Sequence, residues 1–204
     1  IVSNRIKVKI TDDAVKTISY GLVPILWYWV YSARSLSVGT DTYNYFNRYS
    51  EGGNSLKEPV FFLFNSLGNV LGLDFGQFLA VWCVFTTFFV LNGLRYFLDD
   101  NWVGIFVGAT IYYFEFFFIG MNAMRQITAA SILFYAMKYL NQKRYGRYVI
   151  WYLIATGIHL TAAFGIIFFV VYLLVCENRK RGQFGYYAFL VFSSALGYPV
   201  VLLV

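Results

Sequence analysis

Residues 148–175 read YVIWYLIATGIHLTAAFGIIFFVVYLLV, 28 positions in which His159 is the one ionisable group apart from tyrosine. An α-helix rises about 1.5 Å per residue and the hydrocarbon core of a bilayer is about 30 Å thick, so this run exceeds one straight crossing. Arg144 and Arg147 precede it, and Arg179, Lys180 and Arg181 follow it. A single crossing would put one of these clusters outside, against the tendency of Lys and Arg to remain cytoplasmic. A broken pair of short helices, entering and leaving on one side, satisfies length and charge together, and Gly157-Ile158-His159 is the natural break. One long, tilted helix is the alternative.

Outward from this run, the rest of the chain has the same character. Hydrophobic residues make up 59% and charged residues 13% of the 204 positions, against about 25% charge in a soluble domain, and mean hydropathy is +0.59. Further apolar runs cover 18–36, 75–98, 102–121, 123–140 and 186–204. A weaker one, 59–73, is interrupted by Asn65, Gly68, Asn69 and Gly72. In lipid every backbone group must be paired internally, which forces helices. The expected fold is therefore all-α: a polytopic helical membrane protein with about six to seven membrane segments, in a single transmembrane domain over 1–204. With no initiator Met and an end inside an apolar run, the sequence reads as part of a longer chain. The start, 1–16, is too polar for a signal peptide.

The net charge of +6 does not point to nucleic acid, because the basic residues sit in short clusters between apolar runs. Placing Arg5, Lys7, Lys9, Lys16, Arg95, Lys138, Lys143, Arg144 and Arg147 in the cytoplasm sets the orientation. Of the 16 Lys and Arg residues, all but Arg34, Arg48, Lys57 and Arg125 then lie inside. The segment 59–73 starts and ends outside, so it is expected to be re-entrant. Cys83 and Cys176 fall in apolar runs and read as buried thiols.

Arg34 and Arg125 lie at or within apolar segments, where a charge costs about 2.5–3.5 kcal/mol on insertion scales and needs a partner or a purpose. Asn122, Arg125, Gln126, Ala129 and Ala130 share one face of a helix, polar at its outer end. Arg125 is read either as an anion-binding group or as a partner of Glu115 or Asp41. Glu115, within a span, is expected to be protonated or paired. The only histidine, His159, is a candidate proton shuttle, hydrogen-bond donor or packing residue. Asp41 and Glu58 are the external carboxylates best placed to act as a base, and Tyr43, Tyr45 and Tyr49 offer aromatic surface for sugar stacking or an interfacial belt. No Gly-rich phosphate loop and no acidic DxD-type metal motif is present, so no metal or cofactor is expected and phosphate binding would rest on arginine.

The series Arg34, Gly39-Thr40-Asp41, Tyr45, then Glu58-Pro59 before a Phe-rich run, then Met121-Asn122-x-x-Arg125-Gln126 with Ala129-Ala130, then Ile158-His159-x-Thr161-Ala162, resembles the EpsG family of Wzy-type exopolysaccharide polymerases. The resemblance runs over about 20–175. It implies a metal-independent glycosyltransferase of the bacterial cytoplasmic membrane, with its active site facing the periplasm or cell exterior, in capsule, exopolysaccharide or O-antigen synthesis. Such an enzyme moves a growing glycan from undecaprenyl diphosphate onto a sugar hydroxyl of an incoming lipid-linked oligosaccharide. Asp41, Arg125 and His159 would then be catalytic, and Arg34, Tyr45, Glu58, Asn122 and Gln126 would bind substrate. Partners would be the lipid-linked substrates, membrane lipids, a flippase and a chain-length regulator. The alternatives are another membrane glycan enzyme, such as an O-antigen ligase or acyltransferase, or a lipid-linked oligosaccharide flippase or transporter.

Overall fold

A computed structural model describes residues 13–51 and 57–173, and all regular elements among them are helical. The run 186–204, Cys176, and the basic residues Arg5, Lys7, Lys9, Arg179, Lys180 and Arg181 lie outside the described residues. The first apolar run forms a π-helical turn, Ile18–Leu22, leading into α1, Val23–Ser32. A polar turn leads to α2, Thr42–Ser50. Helix α3, Pro59–Val70, starts at Pro59, where proline's missing N–H costs nothing. Helix α4, Phe75–Phe97, is started by a capping box in which Asp74 and Gln77 satisfy each other's backbone N–H groups. Asn101 caps α5, Trp102–Asn122, which contains a π-helical turn at Tyr112–Phe116. Then follow α6, Met124–Asn141, α7, Tyr145–Ile158, and α8, Leu160–Val171, which opens as a 3-10 turn.

Side-chain contacts give the helix directions. Thr86 meets Thr128 at 2.6 Å, Phe89 packs on Tyr135, and Asn141 bonds Tyr96, so α4 and α6 run parallel. Tyr20 with Trp102, Trp27 with Tyr113 and Tyr31 with Phe117 make α1 parallel to α5. Helix α3 lies antiparallel to α4, with Phe64 between Trp82 and Phe85. It therefore begins beside the middle of α4 and ends near its start.

The break in the 148–175 run falls at His159, whose backbone is extended (φ −150°, ψ 127°). Beyond it the chain folds back: Tyr148 stacks on Phe169, and its hydroxyl donates to the Gly165 carbonyl. The single long helix is thereby replaced by the broken pair. The turns at 98–101 and 142–144, with Asp99, Asp100 and Lys143 at positive φ, share one end of the bundle. Arg95 pairs there with Asp100 at 2.5 Å.

Among the described residues, two helices are long and apolar enough to cross a bilayer, α4 with 23 residues and α5 with 21. Helix α3, at 12 residues, is about 18 Å long and too short to cross. Helix α6 has 18 residues but carries Arg125, Gln126, Lys138 and Asn141. Among the described residues, breaks and polar ends divide several of the expected six to seven segments into shorter helices, and two meet the length and hydropathy of a crossing. Core packing is aromatic: Trp82, Phe78, Phe89, Phe117, Tyr113 and Tyr148 are almost fully buried.

Candidate active site

Glu58, the residue before Pro59, is 7% exposed at the entry to α3. One of its carboxylate oxygens, Oε2, accepts from Arg125 and lies 4.0 Å from the Arg48 guanidinium. The other, Oε1, is 2.7 Å from His159 Nδ1. The three partners come from different elements. Arg125 is on the first turn of α6, Arg48 is near the end of α2, and His159 is the break between α7 and α8. Close approach of α7 to α3 makes the meeting possible: a Cβ on Gly157 would lie 2.5 Å from Val60 Cγ2. Any side chain there would collide with Val60, the second residue after Glu58.

Burial raises the Glu58 carboxyl, but the hydrogen bond with His159 and the Arg125 and Arg48 charges outweigh it and hold it below the usual carboxylate range. Glu58 is therefore ionised at neutral pH and can only accept. The hydrogen of this bond must then sit on His159 Nδ1, leaving Nε2 with a lone pair when the ring is neutral. The Arg125 guanidinium also lies 5.5 Å from the Tyr45 ring centre and 5.1 Å from that of Phe61. Its Nε is buried and has no acceptor among the described residues.

A second polar cluster holds the junction between α5 and α6. The last carbonyls of a helix have no partner within it, and here three in succession are taken by side chains. Tyr31 donates to Gly120 O at 2.8 Å, Arg34 to Met121 O at 2.9 Å, and Tyr45 to Asn122 O at 3.0 Å. The Asn122 side chain accepts from the Thr40 N–H at 2.7 Å. Gly39, at φ +85°, leaves room for it, since a Cβ would come within 2.2 Å of Asn122 Oδ1. These contacts fix the turn at Ala123, from which Arg125 projects.

Of the residues singled out in the sequence, Arg125, His159 and Glu58 are brought together. Tyr45 belongs to both clusters. Arg34 and Asn122 serve the junction, and the Arg34 guanidinium also lies over the Tyr31 ring at 4.4 Å. Asp41 is the N-cap residue of α2 and Gln126 is half-buried beside Arg125 in sequence, and neither is among the hydrogen-bond or ion-pair partners of Glu58 in the described residues. The partner of Arg125 is Glu58 rather than Glu115 or Asp41. Glu115 lies exposed on the π-helical turn of α5. Tyr31 and Arg48 were not legible as site residues, because a tyrosine that caps a distant carbonyl has no local signature. Asn65, seven residues after Glu58, is buried with Oδ1 lacking a partner among the described residues. Among those residues no group of His, Cys, Asp and Glu gathers as a metal site.

A buried carboxylate with one imidazole and two guanidinium groups can bind an anion, orient a base and take up a proton. The family model described as "EpsG family" matches residues 18–203 of this chain. No curated protein and no solved structure matches it.

Proposed function

We propose that this chain, which belongs to the EpsG family, joins undecaprenyl-diphosphate-linked oligosaccharides at the outer face of the cytoplasmic membrane. The family and the apolar helices point to a membrane protein with a polysaccharide polymerase type of function. The observation that carries the finer reading is the convergence of Arg125, Glu58 and His159. Arg125 offers planar, permanently charged donors suited to a phosphate. The Glu58–His159 pair offers an oriented base for a sugar hydroxyl.

In the reaction, His159 Nε2 takes the proton of the acceptor hydroxyl while that oxygen forms a bond to the anomeric carbon of the donor sugar. The bond between that carbon and the phosphate oxygen breaks, and its electron pair leaves on the lipid diphosphate. Arg125 stabilises the charge gathering there. Glu58 holds the imidazole in the required tautomer and offsets its positive charge. Tyr45 and Phe61 bring aromatic faces to the same place. Arg34 steadies the turn behind Arg125, and Asp41 is less suited to act as the base than the pair that includes His159.

Support for the outer face comes from charge. The described basic residues Arg95, Lys138, Lys143, Arg144 and Arg147 collect at the end of the bundle opposite Arg125. With that end cytoplasmic, the cluster lies in the outer half of the bilayer, where a lipid diphosphate flipped outward presents its head. The half-length helices α3, α7 and α8 also favour a second reading, a lipid-linked oligosaccharide flippase, because transporters use interrupted helices around a site within the bilayer.

Purified protein supplied with one labelled lipid-linked repeat unit separates the readings. A polymerase yields a ladder of products, a ligase yields none without a different acceptor, and a flippase moves the label across liposomes without joining units. Absence of any ladder with an otherwise transport-competent protein would sink the polymerase reading.

A further inference from the structure

We propose that Glu58 is the resting occupant of the Arg125 anion site, a carboxylate stand-in that the substrate's phosphate displaces. This rests on the phosphate-binding reading above and adds a control to it: Glu58 gives up Arg125 when donor is bound and keeps its bond to His159, with Arg48 still nearby.

Four observations lead there. The cations outnumber the acid, since Arg48 and Arg125 face one carboxylate, so the ligand-free cluster carries a net positive charge even with His159 neutral. Arg125 is not fully used by Glu58. Nη1 donates to one carboxylate oxygen, the other oxygen belongs to His159, and Nε has no acceptor among the described residues. A phosphate presents several oxygens and can take two guanidinium donors at once, which one carboxylate oxygen cannot. Third, the side chains of Arg125 and Glu58 are only 16% and 9% exposed. A buried guanidinium left unpaired is costly, so a stand-in keeps the empty site stable between turnovers. Fourth, Glu58 precedes the first residue of the 12-residue helix α3. The partial positive charge of that helix end continues to stabilise the carboxylate after Arg125 has moved to the phosphate.

The exchange couples donor binding to the base. In the resting state Arg125, Arg48 and His159 share the Glu58 charge. Once phosphate has taken Arg125, that charge acts more fully on the Nδ1–H of His159, and Nε2 becomes a better proton acceptor. Proton removal is then strongest when a donor is seated.

The test uses the full chain in detergent micelles and inorganic pyrophosphate as the probe, with affinity measured by calorimetry. Removing the competing charge in Glu58→Gln is expected to tighten pyrophosphate binding by about tenfold, within the usual range of coupling between two ligands, while Arg125→Lys weakens it. Glu58→Asp, which keeps the charge but withdraws it by one methylene, is expected to fall between Glu58→Gln and wild type, and decides the matter should the amide variant not fold. Equal or weaker binding by the Glu58 variants overturns the stand-in role and leaves the phosphate reading in place. Absence of pyrophosphate binding in wild type and variants overturns both.

Discussion

Arg34 and Arg125 look equivalent as sequence, two arginines at the ends of apolar helices, yet the fold uses them differently. Arg34 points its donor at a backbone carbonyl, beside two tyrosines that do the same for the neighbouring carbonyls. Arg125 meets a buried carboxylate that also holds the only histidine. The first cluster closes an otherwise unsatisfied helix end and the second gathers groups that can change protonation or partner. Arginines with similar sequence surroundings can thus serve different ends, and the acceptor distinguishes them. A carbonyl asks only for a donor, whereas an ionised carboxylate beside an imidazole is poised for chemistry.

The comparison predicts that substitutions in the two clusters separate activity from stability. The largest effect is expected from His159→Gln, which removes the proposed base: joining of lipid-linked units should fall by about 10²–10⁴-fold, with the protein still folded by thermal melting. Full activity in that variant would move the base elsewhere. Arg125→Lys keeps the charge but loses the planar fork, and turnover is expected to drop about 10²–10³-fold. In the junction the order reverses. Arg34→Gln is expected to lower stability by about 1.5–3 kcal/mol, the range for a hydrogen bond from a charged group, with turnover per folded molecule changed far less than in Arg125→Lys. Tyr45→Phe should cost about 0.5–1.5 kcal/mol, and a loss of turnover as deep as that of His159→Gln would place Tyr45 in the chemistry instead.

The last contrast is in pH. The folded protein holds the Glu58 carboxyl below its ordinary value of 4.5. Its contribution to stability is therefore full above about pH 4.5 and is lost as pH falls through the folded-state value. Melting curves taken downward from pH 6 should show a decline in wild type that is absent in Glu58→Gln. Parallel declines would assign the effect to other carboxylates.

Much of the helical frame was legible because apolar runs and turn residues are local. Gly157 and His159 marked the break between α7 and α8 through length and charge alone, and the apolar run 75–98 marked α4, while the capping box of Asp74 and Gln77 that starts it emerged only in the structure. The polar α6 shows why counting runs is not counting crossings: Arg125, Gln126 and Lys138 sit inside a run that the apolar letters around them conceal. The site was legible in its members but not in its pairing. Glu58 lies 67 residues from Arg125 and 101 from His159, and no local pattern distinguishes it from Asp41. Only packing of α3 against α7, through the space at Gly157, selects it. The role of Arg34 was hidden for a related reason, because its acceptor is a backbone carbonyl, which every residue has.

The most direct test is a structure of the full chain with a lipid diphosphate analogue bound. Phosphate oxygens are expected on the Arg125 guanidinium in place of Glu58, with Glu58 still bonded to His159 Nδ1 and Nε2 turned toward the sugar. A diphosphate seated away from Arg125, with the Arg125–Glu58 pair undisturbed, would contradict it.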